Sequence, residues 1–364
     1  MGQVAAFDQL IGALGRGGDA DPLVFAGAAG VGKTSLFGYL VDQAEEAQWL
    51  ATVATVHKGQ SLINALAEGF DSLVLSLTRN RPGMLGLDRI QGAVAGLCKA
   101  AGIEPSVASP PDPATSRGNL LGDLHALLRI VGDGMASIQR GMVLFLDDVH
   151  HGSDQHVGVL GQAVLDAAER GLPVTVVAAA GSVLPSFTRV GQGGLAARVL
   201  ELAPLSFYEV QEALDRPAAE NGASFQHGAA RSIADRSGGA PLLVQALANV
   251  AWDLAPNNVV DVDTVESARA QAETRFLSGY VVPLLDRLSP TERRYLRAVA
   301  ELRDQRVNSL VVARRLGDNT RFGESSALAA VRDGLLRAGL LYSPDGQEMR
   351  FTLPPLAAAL PLVL

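Results

Sequence analysis

The most constraining feature of the sequence is Gly27-Ala28-Ala29-Gly30-Val31-Gly32-Lys33-Thr34, which fits the GxxxxGK[ST] pattern of a phosphate-binding loop, or Walker A motif. Glycines let a chain wrap around a phosphate and turn successive N–H groups inward at low steric cost. An apolar, strand-length run (22–26) precedes the motif and a helical pattern (33–47) follows it. Because a chance glycine loop lacks this context, we predict a nucleoside triphosphate site.

Each position of the motif has an expected part in that site. Lys33 is expected to reach the β- and γ-phosphates, and the Thr34 hydroxyl is expected to bind Mg²⁺. We assign the following residues to the nucleotide site: Gly27, Ala28, Ala29, Gly30, Val31, Gly32, Lys33, Thr34 and Ser35.

A second acidic element follows the apolar run Val143-Leu144-Phe145-Leu146. An acid directly after a buried strand lies at the carboxyl edge of the sheet, where open α/β folds bind ligands. We predict that Asp147 is the Walker B residue that holds Mg²⁺, and that Asp148 orients or polarises the attacking water. Two acids after a strand can also form a helix N-cap, which is the alternative interpretation, above all for Asp148.

Apolar runs of strand length alternate with helical patterns up to about residue 205, which predicts a parallel α/β sheet. Residues 78–118 contain Arg-Pro-Gly and Ser-Pro-Pro-Asp-Pro, and we predict an irregular insertion with one short helix near 90–100. Residues 206–285 have helical patterns only. Residues 286–364 predict three short helices and a two-stranded ribbon, formed by 340–343 and 349–353.

The composition excludes several classes of protein. The chain has 364 residues, 48% of them hydrophobic and 19% charged, as in globular proteins. Its net charge of −8 and pI of about 5.3 give no global signature of nucleic-acid binding. Cys98 is the only cysteine, so an intramolecular disulfide cannot form. The N-terminus lacks a signal-peptide pattern and no apolar run could span a bilayer, so we expect a cytoplasmic protein that is not bound to a membrane.

Several segments resemble the AAA+/STAND branch of P-loop ATPases, and more closely the bacterial relatives of the archaeal-type ATPases that end in a winged helix. Leu146-Asp147-Asp148-Val149-His150 resembles the LDDxH Walker B motif of STAND proteins, and Ser237-Gly238-Gly239-Ala240-Pro241 resembles their GGxP lid motif. Residues 198–206 resemble the last core strand and the entry to the lid, and 288–296, 339–344 and 351–354 resemble the winged-helix end of that family.

The resemblance implies a P-loop core at 1–205, a helical lid at 206–285 and a winged-helix domain at 286–364. It also implies that ATP and Mg²⁺ are bound between core and lid, that Pro241 packs near the adenine, and that the protein forms homo-oligomers. The chain departs from the AAA+ pattern at the end of the fourth strand, where Ser182 is the nearest candidate for a polar sensor. Arg189 and Arg198 are the candidates for an arginine finger. These departures favour slow hydrolysis.

Three histidines, His150, His151 and His156, follow the Walker B segment. A metal site needs converging ligands and a second shell. We therefore expect these histidines to be surface residues or polar contacts near the phosphates. Cys98 is expected to be a small packing residue.

The last domain carries twelve arginines, no lysine and nine acidic residues, a net charge of +3 in a chain whose total is −8. Arg293, Arg294 and Arg297 lie on its first predicted helix. This modest basic surface fits DNA phosphates, but it also fits a winged helix that packs against protein.

Three functions follow from these features. The first is a nucleotide-dependent switch or assembly factor, oligomeric with ATP and acting on a protein partner. The second is a DNA-binding ATPase of the initiator, loader or transposition-regulator kind. The third is a pseudo-ATPase that binds nucleotide without turnover.

Overall fold

The structure, a computed structural model, describes residues 2–18, 20–84, 86–115, 120–181, 185–188, 194–302, 307–318, 324–343, 348–352 and 360. It divides into two compact units. The first comprises Met1–Ala26 and Lys33–Glu201, and the second comprises Gly27–Gly32 and Leu202–Leu364.

A five-stranded sheet has the strand order β2-β3-β4-β1-β5. Its strands are β1 (Leu23–Gly27), β2 (Leu50–Thr55), β3 (Met142–Asp147), β4 (Val174–Ala180) and β5 (Arg198–Leu202). The pairings of β1 with β4, of β2 with β3 and of β3 with β4 are parallel. The predicted α/β class is confirmed, and β4 lies between β1 and β3, the strands that carry the two motifs.

The burial of the strands follows from their places in the sheet. Every residue of β3 and of β4 is buried, because helices cover both faces of a central parallel strand. The edge strand β2 instead alternates between buried and more exposed residues, and Val53 is 47% exposed. Apolar runs in the sequence therefore mark the central strands, and alternation marks the edge.

The helices of the first unit are α1 (Gly2–Gly15), α2 (Lys33–Glu46), α3 (Leu62–Asn80), α4 (Leu87–Ala100), α5 (Leu120–Ala136), α6 (Asp154–Glu169) and α7 (Pro185–Thr188). Helices α3 to α7 contribute apolar side chains to one continuous core. Helices α1 and α2 instead bury Phe7 and Phe37, whose rings lie 5.9 and 5.7 Å from the ring of Phe145 in β3. Short 3₁₀ turns occur at Pro113–Thr115 and Val149–His151.

The segment predicted as an irregular insertion contains the predicted helix, which is α4, and its residues 101–112 form no helix or strand, as predicted. Helix α3 continues to Asn80, and α4 buries its apolar face in the core, including Cys98. Burial raises the pKa of the Cys98 thiol to about 11, which suits the predicted packing role. Two α4 glycines make the docking possible. A Cβ on Gly92 would lie 2.9 Å from the Pro110 carbonyl oxygen, and one on Gly96 would lie 2.4 Å from that of Thr115.

The second unit begins with five helices, the first four of which contribute to one hydrophobic core. These helices are α8 (Phe207–Glu220), α9 (His227–Ser237), α10 (Pro241–Leu254), α11 (Val262–Phe276) and α12 (Val282–Asp286), with short paired strands β6 (Ser224–Phe225) and β7 (Val259–Val260) and a π-helical turn at Leu277–Val281. The pattern of 206–285 thus predicts the helices correctly but misses the short strands β6 and β7.

The Gly-Gly-Ala-Pro segment turns the chain between α9 and α10. Gly238 and Gly239 have φ values of +57° and +74°, which favour glycine. A Cβ on Gly239 would lie 2.0 Å from the Leu205 carbonyl oxygen, so no other residue fits there. Pro241 is the first residue of α10, where its missing N–H is not needed.

Three further helices and an antiparallel ribbon end the second unit and enclose another core. They are α13 (Pro290–Glu301), α14 (Ser309–Arg315), α15 (Ser326–Arg337), β8 (Leu341–Tyr342) and β9 (Arg350–Phe351). An antiparallel bridge joins Asn308 to Glu348, next to the ribbon. The three predicted helices and the ribbon are present, and the residues of the turn between its strands lie outside the described part of the chain.

A glycine pair tests the docking of α4. We expect Gly96→Ala to destabilise the protein by about 1–3 kcal/mol, because the new methyl group overpacks against Thr115. Gly134 is also inside a helix, but its Cβ would meet nothing within 4 Å. Gly134→Ala should therefore stabilise the protein by about 0.5–1 kcal/mol. Urea unfolding measures both, and equal stability of the two variants would contradict the close packing around Gly96.

Candidate functional site

The predicted phosphate-binding loop joins β1 to α2. β1 ends at Gly27 and α2 begins at Lys33, so the N–H groups at the start of the helix adjoin the loop. Gly30 and Gly32 have φ values of +77° and +94°, which other residues rarely adopt. Left-handed bends of this kind build anion-binding concavities from backbone N–H groups. Ser35 lies in the first turn of α2 and is exposed.

Lys33 is the charged group at the start of α2, and it is only 8% exposed. Burial lowers the pKa of its amine, while the carboxylates of Asp148 and Asp147 oppose this shift by favouring the charged form. A buried ammonium has lost much of its hydration, so anionic oxygens are the partners that stabilise it best. The surroundings of Lys33 therefore suit a phosphate ligand.

Thr34 and Asp147 come together although they are far apart in sequence. The Thr34 hydroxyl donates a hydrogen bond of 2.9 Å to Asp147 Oδ2. Asp147 is the last residue of β3 and is 7% exposed. A hydroxyl and a buried carboxylate side by side present hard oxygen ligands of the kind Mg²⁺ prefers. These two residues could hold a magnesium ion, as the sequence predicts.

The two neighbouring acids have different surroundings. Asp147 is buried, and its Oδ1 accepts a 2.9 Å hydrogen bond from the Asp148 N–H. Asp148 has a φ of +53°, and 43% of its side chain is exposed. The left-handed backbone turns the chain sharply after β3, so one carboxylate stays at the strand end and the next is open to solvent. Asp148 is accordingly accessible to water, which its predicted role requires.

His150 is buried, so the expectation of a surface residue is wrong for this histidine. It is 7% exposed, and its Nδ1 accepts a 3.1 Å hydrogen bond from the N–H of Gly181, directly after β4. Its ring contacts that of His151, with a centroid distance of 4.2 Å. Within the described residues, no group of three or more metal-ligating side chains converges.

Within the second unit, the phosphate-binding loop has hydrogen bonds to two distant segments. The Ala29 N–H donates to the Gly339 carbonyl at 3.0 Å, and the Gly30 carbonyl accepts from the Leu242 N–H at 3.4 Å. Pro241 lies beside the loop as well, since a Cβ on Gly32 would be 3.6 Å from Pro241 Cγ. The structure thus brings Pro241 next to the loop.

The comparison with protein families gives a match for the part of the chain that contains these motifs. The family model described as the AAA ATPase domain matches residues 2–177. Residues 2–177 form an AAA ATPase domain. The match includes the phosphate-binding loop, Asp147 and Asp148.

One solved structure shares the fold of this chain, and two others align with it at lower TM-scores. A Walker-type ATPase of Pyrococcus abyssi aligns with a TM-score of 0.63 at 15% identity, over 98% of this chain and 95% of that one. RuvB of Thermotoga maritima, a Holliday junction branch migration motor, has a TM-score of 0.47 at 21% identity, over 96% and 92%. The Aeropyrum pernix ORC1 protein in complex with DNA has 0.48 at 15%, over 99% and 92%.

A second family model matches part of the C-terminal region. Residues 279–358 match a domain of unknown function. A search of curated proteins found no match. In the part of the chain that the structure describes, no helix is both long enough and apolar enough to cross a membrane.

The residues predicted as the polar sensor and as the arginine finger lie partly outside the described part of the chain. Ser182 and Arg189 lie outside the described residues. Arg198 is the first residue of β5 and is exposed. The last residues of β4, Ala178–Ala180, have only methyl side chains. The ring of His150 accepts a hydrogen bond from the N–H of the next residue, Gly181. No sequence pattern marks this contact, because the donor is a backbone N–H.

The hydrogen bond between Thr34 and Asp147 gives a test of the metal site. We expect Thr34→Val to weaken magnesium-dependent ATP binding about 10- to 100-fold, because it removes a ligand that also orients Asp147. Thr34→Ser keeps the hydroxyl and should bind ATP almost normally. Calorimetric titration with Mg²⁺ and with EDTA measures the difference. If Thr34→Val retained the full magnesium effect, this pair would not be the metal site.

Proposed function

We propose that this protein is a slowly hydrolysing, ATP-dependent switch of the AAA+/STAND type that acts on a protein partner. The observation that carries the proposal is the pair of hydrogen bonds from the phosphate-binding loop to Gly339 and Leu242. The contact with Leu242 joins the loop to the helical segment after residue 206, and the contact with Gly339 joins it to the C-terminal segment. A ligand of this loop therefore acts directly on both.

The chemistry of a single N–H group explains how such a switch would respond to nucleotide. The Ala29 N–H has the Gly339 carbonyl as its acceptor, at 3.0 Å. A phosphate oxygen that took this N–H would displace the carbonyl, and its negative charge would also repel the carbonyl oxygen. Nucleotide binding then favours a state in which the C-terminal segment is released. A ligand shifts a conformational equilibrium only through such a difference in contacts.

The roles proposed for the site residues follow from their surroundings. Lys33 binds phosphate oxygens, and Thr34 with Asp147 holds Mg²⁺. The exposed carboxylate of Asp148 orients or polarises the attacking water. Bound Mg²⁺ supplies charge neutralisation for the phosphates. Slow turnover is favoured by the apolar end of β4, which lacks a polar sensor side chain among its described residues.

The proposed organisation keeps a core at 1–205, a lid at 206–285 and a winged helix at 286–364. Three observations support it. Most buried apolar residues of the helices after residue 206 share one core, whereas Leu243, Phe276 and Leu285 pack in the core of the C-terminal helices. Three helices followed by an antiparallel ribbon are the elements of a winged helix, and the Asn308–Glu348 bridge adds a contact beside the ribbon. Pro241 begins α10 beside the loop and is proposed as a nucleotide contact.

Arginines of the C-terminal segment favour a protein partner over DNA. Glu301 pairs with both Arg297 and Arg315, at 3.1 and 2.6 Å. Arg332 pairs with Glu324 and with Asp333. These carboxylates neutralise much of the charge that phosphate binding would need. ATP-dependent homo-oligomers are proposed as the form that engages the partner, and a DNA-dependent ATPase is the alternative.

Two substitutions test the nucleotide chemistry. We expect Lys33→Ala to weaken ATP binding at least about 100-fold, because a buried ammonium paired with phosphate is lost. Asp148→Asn should bind ATP as tightly as the wild type and hydrolyse it at least about 10-fold more slowly. Fluorescent-nucleotide binding and single-turnover hydrolysis separate the two effects. Normal ATP binding by Lys33→Ala would refute the site, and equal turnover by Asp148→Asn would favour the pseudo-ATPase.

Hydrogen exchange tests the switch. Amide exchange at Leu242, and in the peptide that spans residues 336–343, should speed up when Mg²⁺ and a non-hydrolysable ATP analogue bind, because the contacts from the loop are released. Lys33→Ala is the control that should show no change at the same analogue concentration. If the analogue bound tightly and both segments kept their protection, these contacts would not be part of a switch.

A further inference from the structure

We propose that His150 is a positioning residue for hydrolysis, whose ring ties the end of β4 to the turn that carries Asp148. The proposal rests on the hydrolytic function proposed above. Its basis is a contact that neither the motifs nor the family matches assign, the hydrogen bond from Gly181 N–H to His150 Nδ1.

The ring of His150 connects two neighbouring strands at their carboxyl ends. β3 and β4 are parallel partners, with Leu146 opposite Ala178. The chain leaves β3 through Asp147 and Asp148 and enters the 3₁₀ turn at Val149–His151. From this turn the imidazole reaches back to the residue that follows β4. Only 3% of the His150 side chain is exposed, so the connection is shielded from water.

The hydrogen bond fixes the chemical state of the ring. Because Nδ1 accepts the N–H of Gly181, it carries a lone pair, and the proton of a neutral imidazole is on Nε2. Gly181 is buried, and a buried backbone N–H requires an acceptor. The side chains at the end of β4, Ala178–Ala180, offer none. His150 thus supplies from the Walker B side the polar group that β4 lacks.

The turn that this ring anchors is the one that sets the direction of Asp148. Asp148 has a φ of +53°, a conformation that non-glycine residues keep only when their surroundings hold it. The His151 N–H donates to the Asp148 carbonyl at 3.0 Å, and His150 Nδ1 is 4.0 Å from Asp148 Oδ1. Without the anchor on Gly181, the turn can relax and the carboxylate can leave its position. His150 therefore acts on hydrolysis through Asp148.

Two substitutions of similar size separate this role from simple packing. His150→Asn presents an acceptor oxygen close to the position of Nδ1, whereas His150→Leu fills space without an acceptor. Both variants should bind ATP as tightly as the wild type. His150→Asn should keep kcat within about threefold of wild type, and His150→Leu should lower it about 10- to 100-fold. His156→Leu removes a nearby histidine without this contact and should behave as the wild type.

The experiment is completed in an Asp148→Asn background. If His150 acts through Asp148, His150→Leu should cause no further loss of kcat there, because the two substitutions affect one unit. Equal losses in His150→Asn and His150→Leu would overturn the proposal, since a packing role does not need the acceptor. Additive losses in the double variant would overturn it as well.

Exchange at the Gly181 amide distinguishes failure of this proposal from failure of the proposed hydrolysis. The amide should be protected in the wild type and in His150→Asn, and should exchange faster in His150→Leu. Equal exchange in all three would refute the contact itself. Protection without ATP turnover in the wild type would refute hydrolysis, and the role of His150 in it, while the contact would stand.

Discussion

The hydrogen bond between Thr34 and Asp147 depends on the whole architecture of the first unit. It joins the first turn of α2 to the last residue of β3, and the strands that lead to these segments, β1 and β3, are separated in the sheet by β4. The strand order places the two motifs one strand apart, which leaves room at the sheet edge for a nucleotide phosphate and its metal. The buried central strands then fix that spacing, since close-packed cores do not deform gradually.

The same sheet edge shows how the AAA domain compensates for an apolar strand end. β4 ends in three alanines, which pack tightly but provide no polar contact. The side chain of His150 provides that contact from the adjoining turn, and it meets a backbone N–H. The hydrogen bond with the Gly181 N–H orients the ring of His150. The polar contact at the strand end is therefore made from the Walker B turn, close to Asp148.

The sequence predicts the parts of this protein whose signals are local. The loop glycines, the apolar strands and the acids after β3 can each be identified within a few residues of chain. The packing of residues 78–115 could not be predicted in this way. Pro and Gly signals describe the local backbone, whereas a side chain at Gly92 or Gly96 would collide with residues 110–115, which are distant in sequence. The burial of His150 was missed for a similar reason. Its partner is a main-chain group 31 residues away, and main-chain groups have no sequence signature.

Two hydrogen bonds from the phosphate-binding loop set a limit on how strongly nucleotide alone could drive a switch. Each such bond contributes about 0.5–1.5 kcal/mol net, so the contacts to Gly339 and Leu242 together contribute about 1–3 kcal/mol. Reversing a two-state equilibrium from 1:99 to 99:1 requires about 5.5 kcal/mol. In the proposed switch, loss of these two contacts would therefore shift the equilibrium toward the released state without fully reversing it. The remaining free energy must come from contacts made only in the released state, and a protein partner or a second copy of the chain is the natural source.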